Sequence, residues 1–221
     1  MLNLLNKILI AFVFIFLKIT AFLPTEIIKA IGDKQENTLF DYLKHDGDIN
    51  ATTREVSYSP IHIALIYNAN SIAKHLIENG CDLKLQDSYG TTPLMQAVFA
   101  NNIELLTIIL SKKVNLEVKN HKGRTALHIA AYVGFFQGVK LLTECGSNIY
   151  SKDKDNKKPI DLARYFLNEN IRTLTEQQME NYNRIINFLK YQEQIDSYLK
   201  EAVSLPKELR NIIRLKLIKE E

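Results

Sequence analysis

Apolar positions recur along this 221-residue chain in short blocks at a constant interval. Four segments align, beginning at positions 59, 92, 125 and 158: SPIHIAL from Ser59, TPLMQAV from Thr92, TALHIAA from Thr125 and KPIDLAR from Lys158. Each is followed by apolar residues at helical spacing, as in Ile72, Leu76 and Ile77. The pattern therefore predicts a repeated pair of helices, with a polar cap followed by Pro or Ala where each first helix begins.

The segment that follows each predicted second helix repeats as well. ENGCDL ends at Leu83, SKKVNL at Leu116 and ECGSNI at Ile149, which is the same interval again. Ile49, in the earlier segment HDGDIN, precedes Leu83 by one residue more than this interval, so one residue is inserted in the first connection. About five stacked units account for most of the chain, and their stability must come from contacts between neighbours.

A 33-residue period with T-P-L-H-x-A and a later G-x-D resembles the ankyrin repeat. The resemblance covers about residues 36–190, with a partial unit first and a divergent one last. Three full repeats lie between them, at about 57–89, 90–122 and 123–155. The family implies an all-α solenoid of helix-turn-helix units with projecting β-hairpin loops. It also implies that His62 and His128 hydrogen-bond the backbone of the neighbouring loop.

Residues 1–23 are interpreted as a signal peptide or an N-terminal membrane anchor. Lys7 precedes an unbroken apolar run of ten residues, which as a helix is only about 15 Å long. A cut after Ala21 would suit an export signal. A retained anchor over 8–23 needs Lys18 at the membrane interface. A soluble apolar helix is the third interpretation, and the three stay open.

Two further segments flank the array. Residues 24–35 are predicted to be a linker. The second helix of the fifth unit is predicted over about Glu176–Lys190, and residues 191–221 are predicted to form a C-terminal helical cap. Apolar positions with interspersed Lys and Arg suit a helix that covers the open end of a stack. A helix that binds a partner or a membrane surface is the alternative.

Composition and motifs limit the classes of function that the chain can have. The net charge is +3, and residues 31–170 carry 16 basic and 16 acidic side chains, so no nucleic-acid binding is predicted. No phosphate loop, zinc-protease motif or nucleophile elbow occurs, so we predict no enzyme, no cofactor and no metal.

Cys81 and Cys145 lie about two repeats apart, which is too far for a disulfide bond, and both are predicted to be buried thiols. The chain is expected to be a monomer.

The resemblance also implies where a partner would bind, because ankyrin repeats generally use the loop tips and the exposed side of the first helix. Four first-helix positions separated by the repeat interval form what we call the ladder: Ile66, Phe99, Tyr132 and Tyr165. Tyr67 and Phe166 lie beside it. Large aromatic side chains are the ones most often found as binding hot spots. Either the ladder binds a partner, or its members pack on one another and close the groove.

The loop tips supply the other candidate residues: Tyr89, His121, Lys122, Arg124, Lys154 and Lys157. Residues 112–124 hold five basic residues and one acidic one, so positive charge gathers towards the carboxyl end. An acidic partner segment would complement this charge, and a solvated, non-specific surface is the alternative.

The sequence thus predicts a module that binds another protein and is exported, to the periplasm or beyond, or is anchored to a membrane. The composition and the leader resemble those of ankyrin proteins from intracellular bacteria, which implies a host protein as partner. A membrane-tethered structural or scaffold protein is one alternative. An inhibitor that masks another protein's active site is the other, because a fold alone does not determine a function.

Overall fold

The computed structural model describes residues 22–201, which form ten α-helices. The leader predicted over residues 1–23 falls outside this part, apart from Phe22 and Leu23. Residues 202–221 of the predicted cap fall outside it as well. The helices are α1 (Thr25–Gly32), α2 (Glu36–Lys44), α3 (Pro60–Ile66), α4 (Asn70–Glu78), α5 (Pro93–Phe99), α6 (Ile103–Ser111), α7 (Ala126–Tyr132), α8 (Phe136–Glu144), α9 (Pro159–Asn170) and α10 (Glu176–Glu201).

The described residues divide into two compact units, the first ending at His121 and the second beginning at Lys122. In the first, α1 packs on α2 and α3, α3 packs on α4 and α5, and α6 packs on α4 and α5. In the second, α7 packs on α8 and α9, and α10 packs on α8 and α9. An alanine is fully buried at one repeated position of four first helices, where a larger side chain would hold the helices apart: Ala64, Ala97, Ala130 and Ala163.

Left-handed backbone conformations recur with the same period and mark the turns. At the ends of second helices they fall on Gly80, Lys113 and Gly146, with φ of 77°, 54° and 95°. At the loop tips they fall on Ser57, Gly90, Gly123 and Asn156. Glycine is the residue that adopts this conformation without a steric penalty, so its absence at some positions weakens the sequence signal but leaves the turn in place.

The projecting loops are tight turns, two of which are closed by backbone hydrogen bonds from Asp87 N–H to the carbonyl of Thr91 and from Asp153 N–H to the carbonyl of Lys157. Among the described residues the single β-bridge joins Phe22 and Thr52. Neighbouring tips are instead joined by one backbone hydrogen bond each, from Ser88 N–H to the carbonyl of Val56 and from His121 N–H to the carbonyl of Tyr89. One bond per step positions a tip without forming a strand ladder.

The linker predicted over residues 24–35 is wrong, because this segment contains helix α1. Ile27, Ala30 and Ile31 are buried against α2 and α3. The segment lacks the T-P-L-H signature, and its register is shifted by the residue inserted in the first connection. Ala30 nevertheless precedes Ala64 by the repeat interval plus that one residue, so α1 and α2 form a complete first helix pair.

We expect Ile31→Ala to lower the free energy of unfolding by about 3 kcal/mol, because Ile31 is fully buried and the deletion leaves a cavity. Lys29→Ala, on the exposed side of α1, is the matched control and should change it by less than about 0.5 kcal/mol. Urea unfolding followed by circular dichroism measures both. Equal, small effects would show that the segment contributes no more than a linker.

The boundary predicted at residue 190 is also wrong. Helix α10 continues from Glu176 to Glu201 without a break. Buried side chains continue past Lys190 at helical spacing, with Leu189, Gln192 and Ile195 on the same face as Ile185. The second helix of the fifth unit and the start of the predicted cap are therefore one element.

The two cysteines differ in exposure. Cys81 is buried, and burial raises the pKa of its thiol to about 12. Cys145 is exposed, so the prediction that both thiols are buried is wrong for it. Cys145 caps the end of α8, beyond the last turn that packs on the neighbouring helices.

Candidate functional site

The buried histidines connect one repeat to the next. His62, on α3, is fully buried, and its Nε2 lies 3.1 Å from the carbonyl oxygen of Thr91 in the following loop. A carbonyl only accepts hydrogen bonds, so Nε2 carries the proton and Nδ1 accepts from Ser59. The Nδ1 distances are 2.8 Å to Ser59 Oγ and 3.4 Å to Ser59 N. These contacts hold a loop in place and leave no ring nitrogen for catalysis.

His128 repeats this arrangement in the second unit. Its Nε2 lies 3.1 Å from the carbonyl oxygen of Lys157, and its Nδ1 lies 2.8 Å from Thr125 Oγ1. The hydrogen bond expected from the family resemblance is therefore confirmed for both histidines. At the equivalent position of α9, Asp161 accepts from the backbone N–H of Lys158 at 3.0 Å, which keeps the cap but reaches no further loop.

Burial lowers the pKa of His62 below 6.5, and the Thr91 carbonyl and the charge of Asp87 offset this only in part. The unfolded chain therefore takes up a proton near pH 6.5 that native His62 does not. Below that pH, we expect His62 to lower the free energy of unfolding by up to about 1.4 kcal/mol for each unit by which the pH falls. Urea midpoints between pH 7.5 and 5.5 measure the effect. In His62→Gln, stability should no longer fall by this amount between pH 7.5 and 5.5. If the variant showed the same dependence of stability on pH as the wild type, the effect would not come from His62.

Several members of the predicted surface are exposed. On the ladder, Ile66 is 37% exposed, Phe99 44% and Tyr165 57%. Beside them, Tyr67 is 53% exposed and Tyr89, at a loop tip, 62%. Single exposed apolar side chains are common on protein surfaces, so it is the recurrence of these at repeat-equivalent positions that marks a candidate binding surface. In the first unit, Tyr67 rests partly over Gly32, where an added Cβ would lie 3.4 Å from its ring.

Tyr132 and Phe166 belong instead to a packed aromatic cluster in the second unit. Their rings meet edge to face at 5.2 Å, and Phe166 stacks on Tyr182 of α10 at 5.2 Å. The Tyr182 hydroxyl donates to the carbonyl of Tyr132 at 2.8 Å. Burial raises the pKa of this hydroxyl above its usual value of 10. The ladder thus combines packed and exposed positions.

Arg124 joins the loop tip to this cluster. Its Nε lies 3.2 Å from Oδ2 of Asp153, and its guanidinium lies 5.1 Å from the centre of the Tyr132 ring. Burial tends to raise the pKa of Asp153, but the backbone N–H of Lys157 and the Arg124 guanidinium outweigh it, so the pKa is lowered and the carboxylate is ionised. The charge of Arg124 is therefore paired within the fold.

The other tip candidates lie at the surface. His121, Lys122, Lys154 and Lys157 are exposed. Their backbones are ordered by the fold, since Lys154 N–H donates to the carbonyl of Lys122 at 3.1 Å.

Sequence reasoning missed the contribution of α10. Tyr182 seals the cluster around Tyr132, while Glu193 pairs with Lys158 at 2.8 Å. Arg184 lies over the ring of Phe136 at 4.1 Å. Helical spacing could have placed Tyr182, Ile185 and Leu189 on one face. The contacts with α7 and α8 were not predictable, because this helix departs from the repeat pattern.

Over residues 22–201 no three His, Cys, Asp or Glu side chains come together as metal ligands would. Over the same residues, no helix has both the length and the apolar character needed to cross a bilayer.

The family model for ankyrin repeats (3 copies) matches residues 27–120 and 61–153. The chain therefore belongs to the ankyrin-repeat family, whose repeats are protein–protein interaction modules and are generally non-enzymatic. The first matched residue, Ile27, lies in α1, which agrees with a complete first helix pair.

Curated relatives show the same family. The chain is similar to ankyrin repeat domain-containing protein 37 of Bos taurus, with 29% identity over 55% of this chain and 80% of that protein. It is similar to inversin of Canis lupus familiaris, with 33% identity over 48% of this chain and 10% of inversin. It is also similar to NF-kappa-B inhibitor alpha of Sus scrofa, with 31% identity over 43% of this chain and 32% of that protein. The matches thus cover much less than two thirds of the last two relatives.

Proposed function

We propose that this protein works by binding another protein through exposed first-helix and loop-tip side chains of its array. The observation that carries the proposal is the set of large apolar side chains exposed at repeat-equivalent positions. Phe99 and Tyr165 lie two periods apart and each presents about half of its surface to solvent. Aromatic groups of this kind gain free energy when a partner desolvates them.

Neighbouring side chains in the first unit extend this surface. Ile66 ends α3 and Tyr67 follows it as the C-cap, Phe99 ends α5, and Tyr89 projects from the loop between the two repeats. Each is held by a backbone that the repeat packing already orders, so binding requires little further ordering of the chain.

The experiment is quantitative affinity purification of the full-length protein from the cells that make it. Tyr67→Ala combined with Phe99→Ala should reduce recovery of the partner at least tenfold and shift the melting temperature by no more than about 4 °C. Ile103→Ala is the matched control, because Ile103 is equally exposed but lies at the start of α6, a second helix. The control should leave recovery unchanged. Equal recovery of the partner with all variants would show that the partner does not bind through this surface.

We propose in addition that residues 1–23 take the array across or onto a membrane. The leader pattern supports this, and a cut after Ala21 would remove none of the described residues. Sequencing the amino terminus of the mature protein tests it. A start at Phe22 supports an exported protein, and an intact Met1 in the membrane fraction supports an anchored scaffold. An intact Met1 in the soluble fraction would reject both.

Inhibition of another protein is a second candidate function. NF-kappa-B inhibitor alpha, a relative at 31% identity, is an inhibitor by name. An array that masks another protein's active site would use the same surface, so the identity of the recovered partner and an assay of its activity separate simple binding from inhibition.

A further inference from the structure

We propose that the second unit recognises an acidic segment of its partner, with the loop-tip lysines pairing with carboxylates and Tyr165 contacting an apolar side chain between them. This rests on the proposed function and specifies the chemistry of the partner. The surface is defined by Lys154, Lys157 and Tyr165, and we call it the cationic surface.

Two ion pairs neutralise charges that lie next to the cationic surface in the sequence. Arg124 and Asp153 neutralise each other at 3.2 Å. Lys158 is held by Glu193 at 2.8 Å. Lys154 and Lys157 are exposed, and the acidic residue exposed between them is Asp155. The tip therefore presents a net positive charge to solvent even though residues 31–170 are neutral as a whole.

Contacts between side chains connect the tip to the ladder in this unit. Arg124 contacts Asp153 at the tip and Tyr132 on the ladder, 5.1 Å from its ring centre. Tyr132 in turn contacts Phe166, the neighbour of Tyr165. Lys157 lies two residues before α9 begins at Pro159, and Tyr165 lies six residues, about 9 Å, further along the same helix. One extended segment can therefore meet a tip lysine and this aromatic ring, which combines electrostatic steering with an apolar anchor.

The first unit shows that this charge is local and not a general property of the repeats. Its exposed tip side chains include Arg54 and Glu55, which cancel, followed by the uncharged Ser88 and Tyr89. The guanidinium of Arg54 lies 5.0 Å from the ring centre of Phe22. Equivalent loop positions thus carry no net charge in one unit and positive charge in the other.

A protein segment fits the cationic surface better than a nucleic acid does. Affinity for a phosphate backbone grows with the number of phosphates neutralised, and two lysines separated by Asp155 neutralise few. Carboxylates in a peptide can be spaced to match Lys154 and Lys157 and to avoid Asp155. Specificity of this kind comes from unfavourable as well as favourable charge pairs.

The test is selection of binders to the full-length protein from a random 12-residue peptide library, followed by fluorescence anisotropy of the selected peptides. We expect the peptides to be enriched in Asp and Glu around one large apolar residue, and their binding to weaken as salt is raised. Lys154→Glu combined with Lys157→Glu should raise their dissociation constant at least tenfold. The matched control, Lys140→Glu combined with Lys190→Glu, reverses the same amount of charge on second helices. It should change the dissociation constant of the peptides less than twofold.

The outcomes separate this inference from the proposed function. Peptides without acidic enrichment whose binding depends on Tyr67 and Phe99 but not on the lysines would overturn the inference and leave the proposed function standing. Peptides whose binding is unaffected by the lysine changes and by the changes at Tyr67 and Phe99 would overturn both the inference and the proposed function. Lysine-dependent binding of a twelve-nucleotide oligo-dT that is tighter than that of any selected peptide would identify the ligand as nucleic acid and overturn the inference.

Discussion

His62→Ala is expected to lower the free energy of unfolding by about 3 kcal/mol, a large fraction of the roughly 5–15 kcal/mol typical of a folded domain. The imidazole is fully buried and bonds Ser59 on one side and the Thr91 carbonyl on the other. Removing it leaves a buried carbonyl without its donor, at a cost of about 1–3 kcal/mol, and adds a cavity. The loop after α4 loses its attachment to α3.

Chemical denaturation of the full-length protein measures this loss. His121→Ala is the matched control, since His121 is exposed and the hydrogen bond it makes to Tyr89 comes from its backbone. The control should change stability by less than about 0.5 kcal/mol. If the two alanine variants were equally stable, the buried histidine would not connect the repeats.

Gly90→Ala is expected to cost about 3 kcal/mol, much more than Gly80→Ala at about 1 kcal/mol. Both glycines have left-handed backbones, with φ of 74° and 77°, so both variants carry the strain of placing a Cβ there. An added Cβ on Gly90 would lie 2.9 Å from the backbone nitrogen of His121, whereas nothing lies within 4 Å of one on Gly80. The difference isolates the close approach of neighbouring loop tips.

The two glycine variants are compared by the shift of the urea midpoint, with the slope of the transition checked for a change in cooperativity. Because the strain in φ is common to both, it cancels in the difference. Two variants of equal stability, within about 0.5 kcal/mol of each other, would mean that the tips are not packed as closely as the structure shows.

The period was readable from the sequence because it repeats in the residues that the fold constrains most. Ala64, Ala97 and Ala130 are small because helices approach closely there, and Ser59, Thr92 and Thr125 begin the first helices. These constraints recur in every unit, so self-comparison detects them without knowledge of the three-dimensional contacts.

Helix α1 and the length of α10 were not predicted, since both lie where the repeat pattern fades. Ile27, Ala30 and Ile31 are buried at the positions that the fold requires, but this helix has neither a side-chain cap nor the histidine that marks α3 and α7. Helix α10 packs with its own spacing of apolar residues, including Tyr182, and follows no repeat register.

The exposure of individual ladder residues was beyond sequence reasoning because it depends on the side chain that each one meets. Tyr132, on α7, is half-buried since it meets Phe166 and Arg124, whereas Tyr165, on α9, stays exposed. Identical spacing therefore predicted equivalent positions but not equivalent environments.

The most direct test of the binding surface is site-specific photocrosslinking in the cells that make the protein. The photoreactive amino acid p-benzoylphenylalanine replaces Phe99, Tyr165 or, as a control, Ile103 in three separate full-length variants. Binding through the ladder predicts a covalent protein adduct from the Phe99 position, from the Tyr165 position or from both, and none from the Ile103 position. An adduct from the Ile103 position alone, or none from any position, would contradict it.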